Sequence, residues 1–328
     1  MREPMIDRFG RKHTYLRVSV TDRCNFRCVY CMPPEGIAWR ERDEILDYEE
    51  IVRLTRLMAE MGVDKVRLTG GEPTVRKNVE WLIAEVARVP GVRSLLMTTN
   101  GFRLPKMAAA YREAGLTGLN VSLDTLRPDR FREITRTDKF ETVWEGIQAA
   151  LELGFSPMKI NVVAMAGVNE DELLDFVELT REQKLNVRFI EFMPFDDNGW
   201  TKGALYPYRK MREDIERVHP LEPVPAEPTA VAKDFRVPGF KGTVSFVTSM
   251  TEDFCGSCNR IRLTAEGALK PCLFSPLEVS LRDPMRRGAS DDELAEIIVS
   301  TVLRKPKGHE ELDVLPLLKN RAMVSIGG

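Results

Sequence analysis

The chain has no cysteine to spare and almost no histidine. Its 328 residues include six cysteines and three histidines. Every cysteine belongs to one of two triplets, Cys24, Cys28 and Cys31 or Cys255, Cys258 and Cys272, so no thiol is left over for other work. A chain of this length buries about three quarters of its unfolded surface and needs no disulfide support, so the thiols can stay reduced. A dominant charge sign is also missing. Forty-eight basic side chains against fifty acidic ones leave a net charge of −2. That balance excludes a broad nucleic-acid surface and requires locally placed arginines and lysines to meet any anionic ligand, which points to a small one. There is no long apolar run either: the longest, around residues 160–168, is about half of the ~20 residues a membrane helix needs, and the N-terminus lacks the apolar core of a signal peptide. A soluble, cytoplasmic protein is expected, with no internal repeat and no low-complexity segment.

What is present is a compact thiol loop. In Cys24-Asn25-Phe26-Arg27-Cys28-Val29-Tyr30-Cys31, three residues separate the first pair and two the second, so one loop can fold three thiolates around a metal centre. Three ligands leave a position open. Structural zinc sites close with four ligands, and clusters that only carry electrons normally have four cysteines, so an open position implies that a substrate or cofactor binds the metal. The alternative is a zinc site completed by a distant histidine, His13, His219 or His309. The spacing resembles that of the radical S-adenosylmethionine (SAM) enzymes, in which three cysteines hold a [4Fe-4S] cluster and the cofactor chelates the fourth iron.

Over the first two-thirds of the chain, short β-branched runs alternate with helical patterns. Strands are predicted at 15–20, 65–69, 94–99, 118–123, 159–165 and 187–193, with five helices between them. The clearest helix follows Asp47, whose capping-box partner is Glu50, and carries Ile51, Leu54, Leu57, Met58 and Met61 on one face. Six successive strand–helix units imply parallel strands with right-handed crossovers, in a doubly wound sheet or an incomplete barrel. Motif placement favours the barrel, whose sites gather at the C-terminal strand ends. The cysteine loop follows strand one, Gly70-Gly71-Glu72-Pro73 follows strand two, Thr98-Thr99-Asn100-Gly101 closes strand three, Asn120 to Asp124 close strand four and Glu191 to Pro194 close strand six. Taken alone, each is no more than a strand-to-helix connection; their recurrence on one rim is the argument. After a helix at about 206–218, Pro220, Pro223, Pro225 and Pro228 mark an extended crossing and the expected domain boundary. Beyond it a strand at 243–248 leads into the second triplet, on a hairpin-like excursion for which a structural zinc knuckle is the competing reading.

With Thr21-Asp22-Arg23 before the first triplet, Met32-Pro33 after it, Arg188 to Met193, Arg260 and Arg262 beside the second triplet and a terminal Gly327-Gly328, the chain resembles the GTP 3′,8-cyclase family, which begins molybdenum-cofactor biosynthesis. The likeness runs from about Arg8 to Gly328, with no departure at the motif positions. It implies an α/β chain made of an incomplete (β/α)6 radical-SAM barrel, residues 1–218, and a C-terminal α+β domain, residues 219–328, that binds substrate and carries a second iron–sulfur cluster. The implied cofactors are two [4Fe-4S] clusters, on Cys24, Cys28 and Cys31 and on Cys255, Cys258 and Cys272, together with S-adenosyl-L-methionine held by Tyr30, Gly71, Ser122 and Met193. Arg17, Arg67, Thr98, Lys159, Arg260 and Arg262 match GTP contacts, and Gly327 and Gly328 match an active-site tail. The implied reaction abstracts the ribose 3′ hydrogen of GTP with a 5′-deoxyadenosyl radical and closes the sugar onto C8, giving 3′,8-cyclo-7,8-dihydro-GTP. The family relationship further implies a homodimer, an external electron donor and a following enzyme that forms cyclic pyranopterin monophosphate. Two other classes compete. A peptide-modifying radical enzyme with an auxiliary cluster would bring a peptide-recognition domain and often more C-terminal cysteines, and a zinc-stabilised binding module would not explain the rim motifs.

Overall fold

A computed structural model describes residues 2–33, 35–196, 198–312, 314–317 and 321–327. Six parallel strands follow the chain: β1 (Tyr15–Ser19), β2 (Lys65–Thr69), β3 (Ser94–Thr99), β4 (Gly118–Ser122), β5 (Met158–Ala164) and β6 (Asn186–Glu191). Each pairs with the next in sequence, without the reversal of a doubly wound sheet. The connecting helices form where the periodicity places them. Tyr48–Glu60 opens on a reciprocal capping box between Asp47 and Glu50 and buries Ile51, Leu54, Leu57 and Met58. The β4–β5 connection holds two helices, Pro128–Thr135 and Phe140–Glu152, where the pattern predicts one.

The C-terminal segment adds strands to both edges of this sheet. β7 (Glu222–Pro223), β8 (Ala232–Arg236) and β9 (Thr243–Val247) extend it beyond β6, with β9 parallel to β6. β10 (Arg260–Leu263) lies parallel to β1 and continues through β11 (Ala268–Lys270) to β12 (Val279–Ser280). The expected proline-rich crossing thus contains Pro223 on a terminal edge strand, where its missing N–H breaks no ladder. Helix Asp291–Leu303 opens on a Ser290–Glu293 capping box, and it shares one hydrophobic cluster with strands of both segments.

Alternation along the strands divides chemistry from core. Leu16 and Val18, Val66 and Leu68, Leu119 and Val121, Ile160 and Val162, Val187 and Phe189, and Ile261 and Leu263 all join that cluster. Successive strand side chains point to opposite faces, so Arg17, Arg67, Asn120, Lys159, Arg188, Arg260 and Arg262 share the inner face.

Buried carboxylates tie the rim together. Glu72 accepts from the Thr74 and Asn100 amides and the Thr74 and Thr99 hydroxyls, and Glu172 from the Thr125 hydroxyl and Leu126 amide. Glu191, at the end of β6, accepts from the amides of Tyr208 (2.9 Å), Met250 (2.7 Å) and Thr251 (3.0 Å) and from the Thr251 hydroxyl. Replacing Glu191 with alanine leaves these donors without their acceptor, each at about 1–3 kcal/mol. Urea unfolding of Glu191→Ala is expected to show a loss of about 3 kcal/mol or more, with a smaller loss for Glu191→Gln, which keeps an acceptor oxygen; a loss below about 1 kcal/mol for the alanine variant would contradict the clasp.

Candidate active site

The C-terminal strand ends surround a cavity of about 290 Å³, and all six cysteines line it as free thiols. Both triplets therefore open onto one space. The first lies on the loop after β1, held against the turn after β2. The Gly71 amide donates to the Thr21 carbonyl at 2.7 Å and the Glu72 amide to that of Arg23 at 2.8 Å. A Cβ at Gly71 would stand 2.4 Å from the Arg23 carbonyl oxygen, so glycine is required here for backbone to meet backbone. Tyr30, whose hydroxyl donates to Asp124 at 2.7 Å, lines the cavity with Gly71, Ser122 and Met193. Asp124 also accepts from the Val163 amide, and its pKa is raised to about 6 by burial, against those two hydrogen bonds. Burial pushes the Cys24 thiol up to about 11, with Glu72 adding to it, and that of Cys31 to about 12, with Cys24 and Asp124 adding; Cys28 moves in the same direction, again through burial first.

The second triplet brackets a hairpin. Cys255 and Cys258 precede β10 and Cys272 follows β11. Burial raises the Cys255 thiol. At Cys258 burial acts the same way but is outweighed by Lys305 and Arg260, which bring the thiol down to about 6. Among the described residues, no three Cys, His, Asp or Glu side chains gather closely enough for a single metal ion. Of the three histidines, His309 lines the cavity, whereas His13 is bonded to Asp7 and Lys305 and His219 is paired with Glu178.

Between the triplets the inner wall is cationic. Arg17, Arg188, Arg260 and Arg262 line it with Thr98. Burial, followed by repulsion from Arg262, lowers the Arg17 pKa well below its usual range, while burial and Arg260 lower Arg262 to about 10 and burial and Arg67 lower Arg188 to about 10. Guanidinium remains charged after such shifts, so they register crowded, desolvated positive charge. The Nε atoms of Arg17 and Arg188 are buried without a hydrogen-bond partner among the described residues. This wall suits a multiply charged anion. Arg67 and Lys159 share the inner face but are not cavity-lining residues; Arg67 donates from Nε to the Tyr15 hydroxyl and from Nη1 to the Met97 carbonyl and the Thr98 hydroxyl. Sequence reasoning gave Arg188 no role, although it lies on the inward parity of β6 between buried Val187 and Phe189. Asn120, which opens the rim run closing strand four, also lines the cavity, as do Asn161 and Phe274, for which the sequence suggested no role.

The C-terminal tail reaches this wall. Gly327 is buried with φ at +73°, and its carbonyl accepts from Arg262 Nη1 at 3.1 Å and from the Thr69 hydroxyl at 3.2 Å. Arg321 anchors the tail to Glu266 and Glu278, and Met323 lines the cavity. Gly328 lies outside the described residues.

Comparison with known proteins agrees with this geometry. The Radical SAM superfamily pattern matches residues 18–180, and the Molybdenum Cofactor Synthesis C pattern matches 185–311. The fold is shared with Streptococcus suis SuiB bound to S-adenosylmethionine, at a TM-score of 0.57 and 15% identity over 95% of this chain and 77% of that one. Fold and thiol loop define a radical SAM protein. In sequence, the chain is 49% identical to the mitochondrial GTP 3′,8-cyclase of Arabidopsis thaliana, covering 99% of this chain and 83% of that protein, and 46% identical to the GTP 3′,8-cyclase of Moorella thermoacetica, covering 99% and 100%. It spans about half the length of the animal relatives named Molybdenum cofactor biosynthesis protein 1. The chain belongs to the GTP 3′,8-cyclase family.

The docking of the tail is directly testable. A Cβ on Gly327 would lie 2.8 Å from both Ser19 Cβ and Thr69 Oγ1, and left-handed backbone costs a non-glycine residue a further ~1–2 kcal/mol. In Gly327→Ala, hydrogen exchange across 321–327 is expected to accelerate while the sheet amides stay protected. Unchanged tail protection would show that the contact is not tight.

Proposed function

We propose that the two triplets serve one reaction from either side of the shared cavity: Cys24, Cys28 and Cys31 hold the [4Fe-4S] cluster that carries S-adenosylmethionine, and Cys255, Cys258 and Cys272 hold a second cluster facing GTP. The reaction is that of the family, conversion of GTP to 3′,8-cyclo-7,8-dihydro-GTP in the first step of molybdenum-cofactor biosynthesis. The observation that carries this reading is the position of four arginines on the cavity wall that both triplets open onto. When bound, the first cluster and S-adenosylmethionine supply one-electron chemistry that removes a ribose hydrogen.

The chain's own residues bind, orient and shield. Tyr30, fixed by Asp124, and the Ser122 hydroxyl, Gly71 backbone and Met193 side chain offer contacts for S-adenosylmethionine beside the first triplet. Arg17, Arg188, Arg260 and Arg262 offer forked donors to the triphosphate, and each charge-assisted bond contributes about 1.5–3 kcal/mol. Arg67 and Lys159 add positive potential from the same face, and Thr98 connects Arg67 to the cavity. The tail that carries Gly327 closes the nucleotide side and orients the ribose. In this reading the singly wound sheet curves into an incomplete barrel over residues 1–218, and residues 219–328 supply the second cluster. The protein works in the cytoplasm as a homodimer, receives electrons from a separate donor and passes its product to the enzyme forming cyclic pyranopterin monophosphate.

Parallel assays of 5′-deoxyadenosine and cyclised nucleotide test the division. Cys28→Ser is expected to abolish S-adenosylmethionine cleavage, whereas Cys258→Ser retains uncoupled cleavage and loses cyclisation. Equal loss of both activities in a folded Cys258→Ser protein would contradict it.

Lys159 supplies a pH test. Burial, then Arg188, lowers its pKa from 10.5 to about 7. Between those values the unfolded chain binds the proton and the folded chain does not, so this group makes stability rise with pH above about 7. A triphosphate reverses the shift. Above pH 7, GTP binding without S-adenosylmethionine is expected to take up a proton, and affinity to fall by up to about tenfold per pH unit. Calorimetry in buffers of different ionisation enthalpy measures the uptake. If Lys159→Met binds GTP with the same proton uptake as the unaltered chain, Lys159 is not the group involved.

A further inference from the structure

The two triplets stand in different electrostatic surroundings, with Arg27 the cation acting at Cys24 in the first and Asp253 the carboxylate acting at Cys255 in the second. Around the first, the nearby ionisable side chains that act on the thiols include Glu72 and Asp124. Beside the second stands Lys305, which is 3% exposed. Its Nζ donates to Cys258 Sγ at 3.5 Å and to the Arg260 carbonyl at 2.6 Å, and it lies 3.4 Å from His13 Nδ1. His13, 2% exposed, sets its Nε2 3.2 Å from Asp7 Oδ2. Only one protonation pattern satisfies both ring contacts: Nε2–H donates to the carboxylate and Nδ1 accepts from the ammonium. Burial, followed by the charge of Lys305, lowers the His13 pKa to about 4, in keeping with a neutral ring.

The same N-terminal segment grips the thiol loop a second time. Arg11, paired with Asp7 at 2.6 Å, donates to the carbonyls of Cys255 and Lys307, each at 2.7 Å, and of Pro306 at 2.6 Å. Lys305 is therefore held on one side by a relay from Asp7 through His13, and the loop it touches is held on the other by Arg11. A lysine this buried, with acceptors around its ammonium, is not a solvated surface charge.

We propose that Lys305, positioned by His13 and Asp7, is the hydrogen-bond donor to the Cys258 sulfur and holds the second iron–sulfur centre at a higher reduction potential than the first. This inference rests on the reading of the second triplet as a cluster site. A charged N–H···S bond withdraws electron density from the ligand and favours the reduced cluster, because hydrogen bonds to sulfur, net charge and burial set such potentials. Lys305 is a positioning and tuning residue; it is not a cavity-lining one.

The experiment uses full-length protein in which Cys24, Cys28 and Cys31 are all serine, so that any reconstituted iron belongs to the second triplet. Iron and sulfide analysis comes first; absence of a cluster overturns the cluster reading itself. With the cluster in place, EPR-monitored redox titration is expected to show a more negative midpoint for Lys305→Met, a smaller shift of the same sign for His13→Phe, and recovery of most of the loss in Lys305→Arg. Should Lys305→Met fail to fold or to retain iron, His13→Phe and Lys305→Arg carry the comparison with the parent. A midpoint unchanged by His13→Phe and Lys305→Met, or by His13→Phe alone where the methionine variant is lost, overturns the proposal while leaving the cluster reading intact.

Discussion

Buried carboxylates that accept hydrogen bonds from neighbouring loops are the constraint on which this site depends. Parallel strands deliver loops to one rim but do not fix them against one another. Glu72 joins the turn after β2 to the end of β3, Asp124 joins β4 to Tyr30 and β5, Glu172 reaches back to the loop after β4, and Glu191 joins β6 to the helix and turn that follow. A buried carboxylate is costly unless its lone pairs are satisfied. Here the donors are backbone amides and hydroxyls, joined at Glu172 by Arg130, so satisfying the charge and fixing the loop are a single event. The thiol loop then inherits its position from two such clasps, through Gly71 beside Glu72 and Tyr30 beside Asp124.

The inner face shows how far strand parity carries the chemistry. A parallel sheet buried on both faces ordinarily reads as a continuous apolar run. Here polar residues at alternate positions interrupt that run, because the other face carries arginine, lysine, asparagine and serine toward the cavity, beside the apolar Val163 and Ile190. Crowding these cations, with Asp234 acting against it at Arg188 and Lys159, raises the energy of the site, and a polyanion would lower it. The destabilisation written into Arg17, Arg188 and Arg262 is thus an affinity held in reserve.

Local signals in the sequence were legible. β2 and β3 begin and end at the residues their patterns predict, and the Asp47–Glu50 capping box forms as expected. The cysteines, selected by spacing, all reach one cavity. What escaped notice is nonlocal. Nothing in the order of residues announces that β10 pairs with β1 across some 245 positions, or that Asp7, His13 and Lys305 form one chain of contacts. Single polar residues far apart carry no period and no motif. Two omissions were readable: Arg188 has the inward parity of its strand, and Ser290 with Glu293 marks the start of the last long helix. Arg67 and Lys159, matched to GTP contacts by family resemblance, lie on the inner face but are not among the cavity-lining residues.

The placement of β9 and β10 has a consequence for biogenesis. Six parallel strands leave the ribosome with both outer strands unpaired, and the chain segments that cover those edges are synthesised later. Until then β1 and β6 each present an open ladder, the kind of surface that recruits other unfinished chains. The segment that brings the second set of thiols is also the one that seals the sheet, so a chain interrupted early loses its protection against aggregation together with its second cysteine triplet.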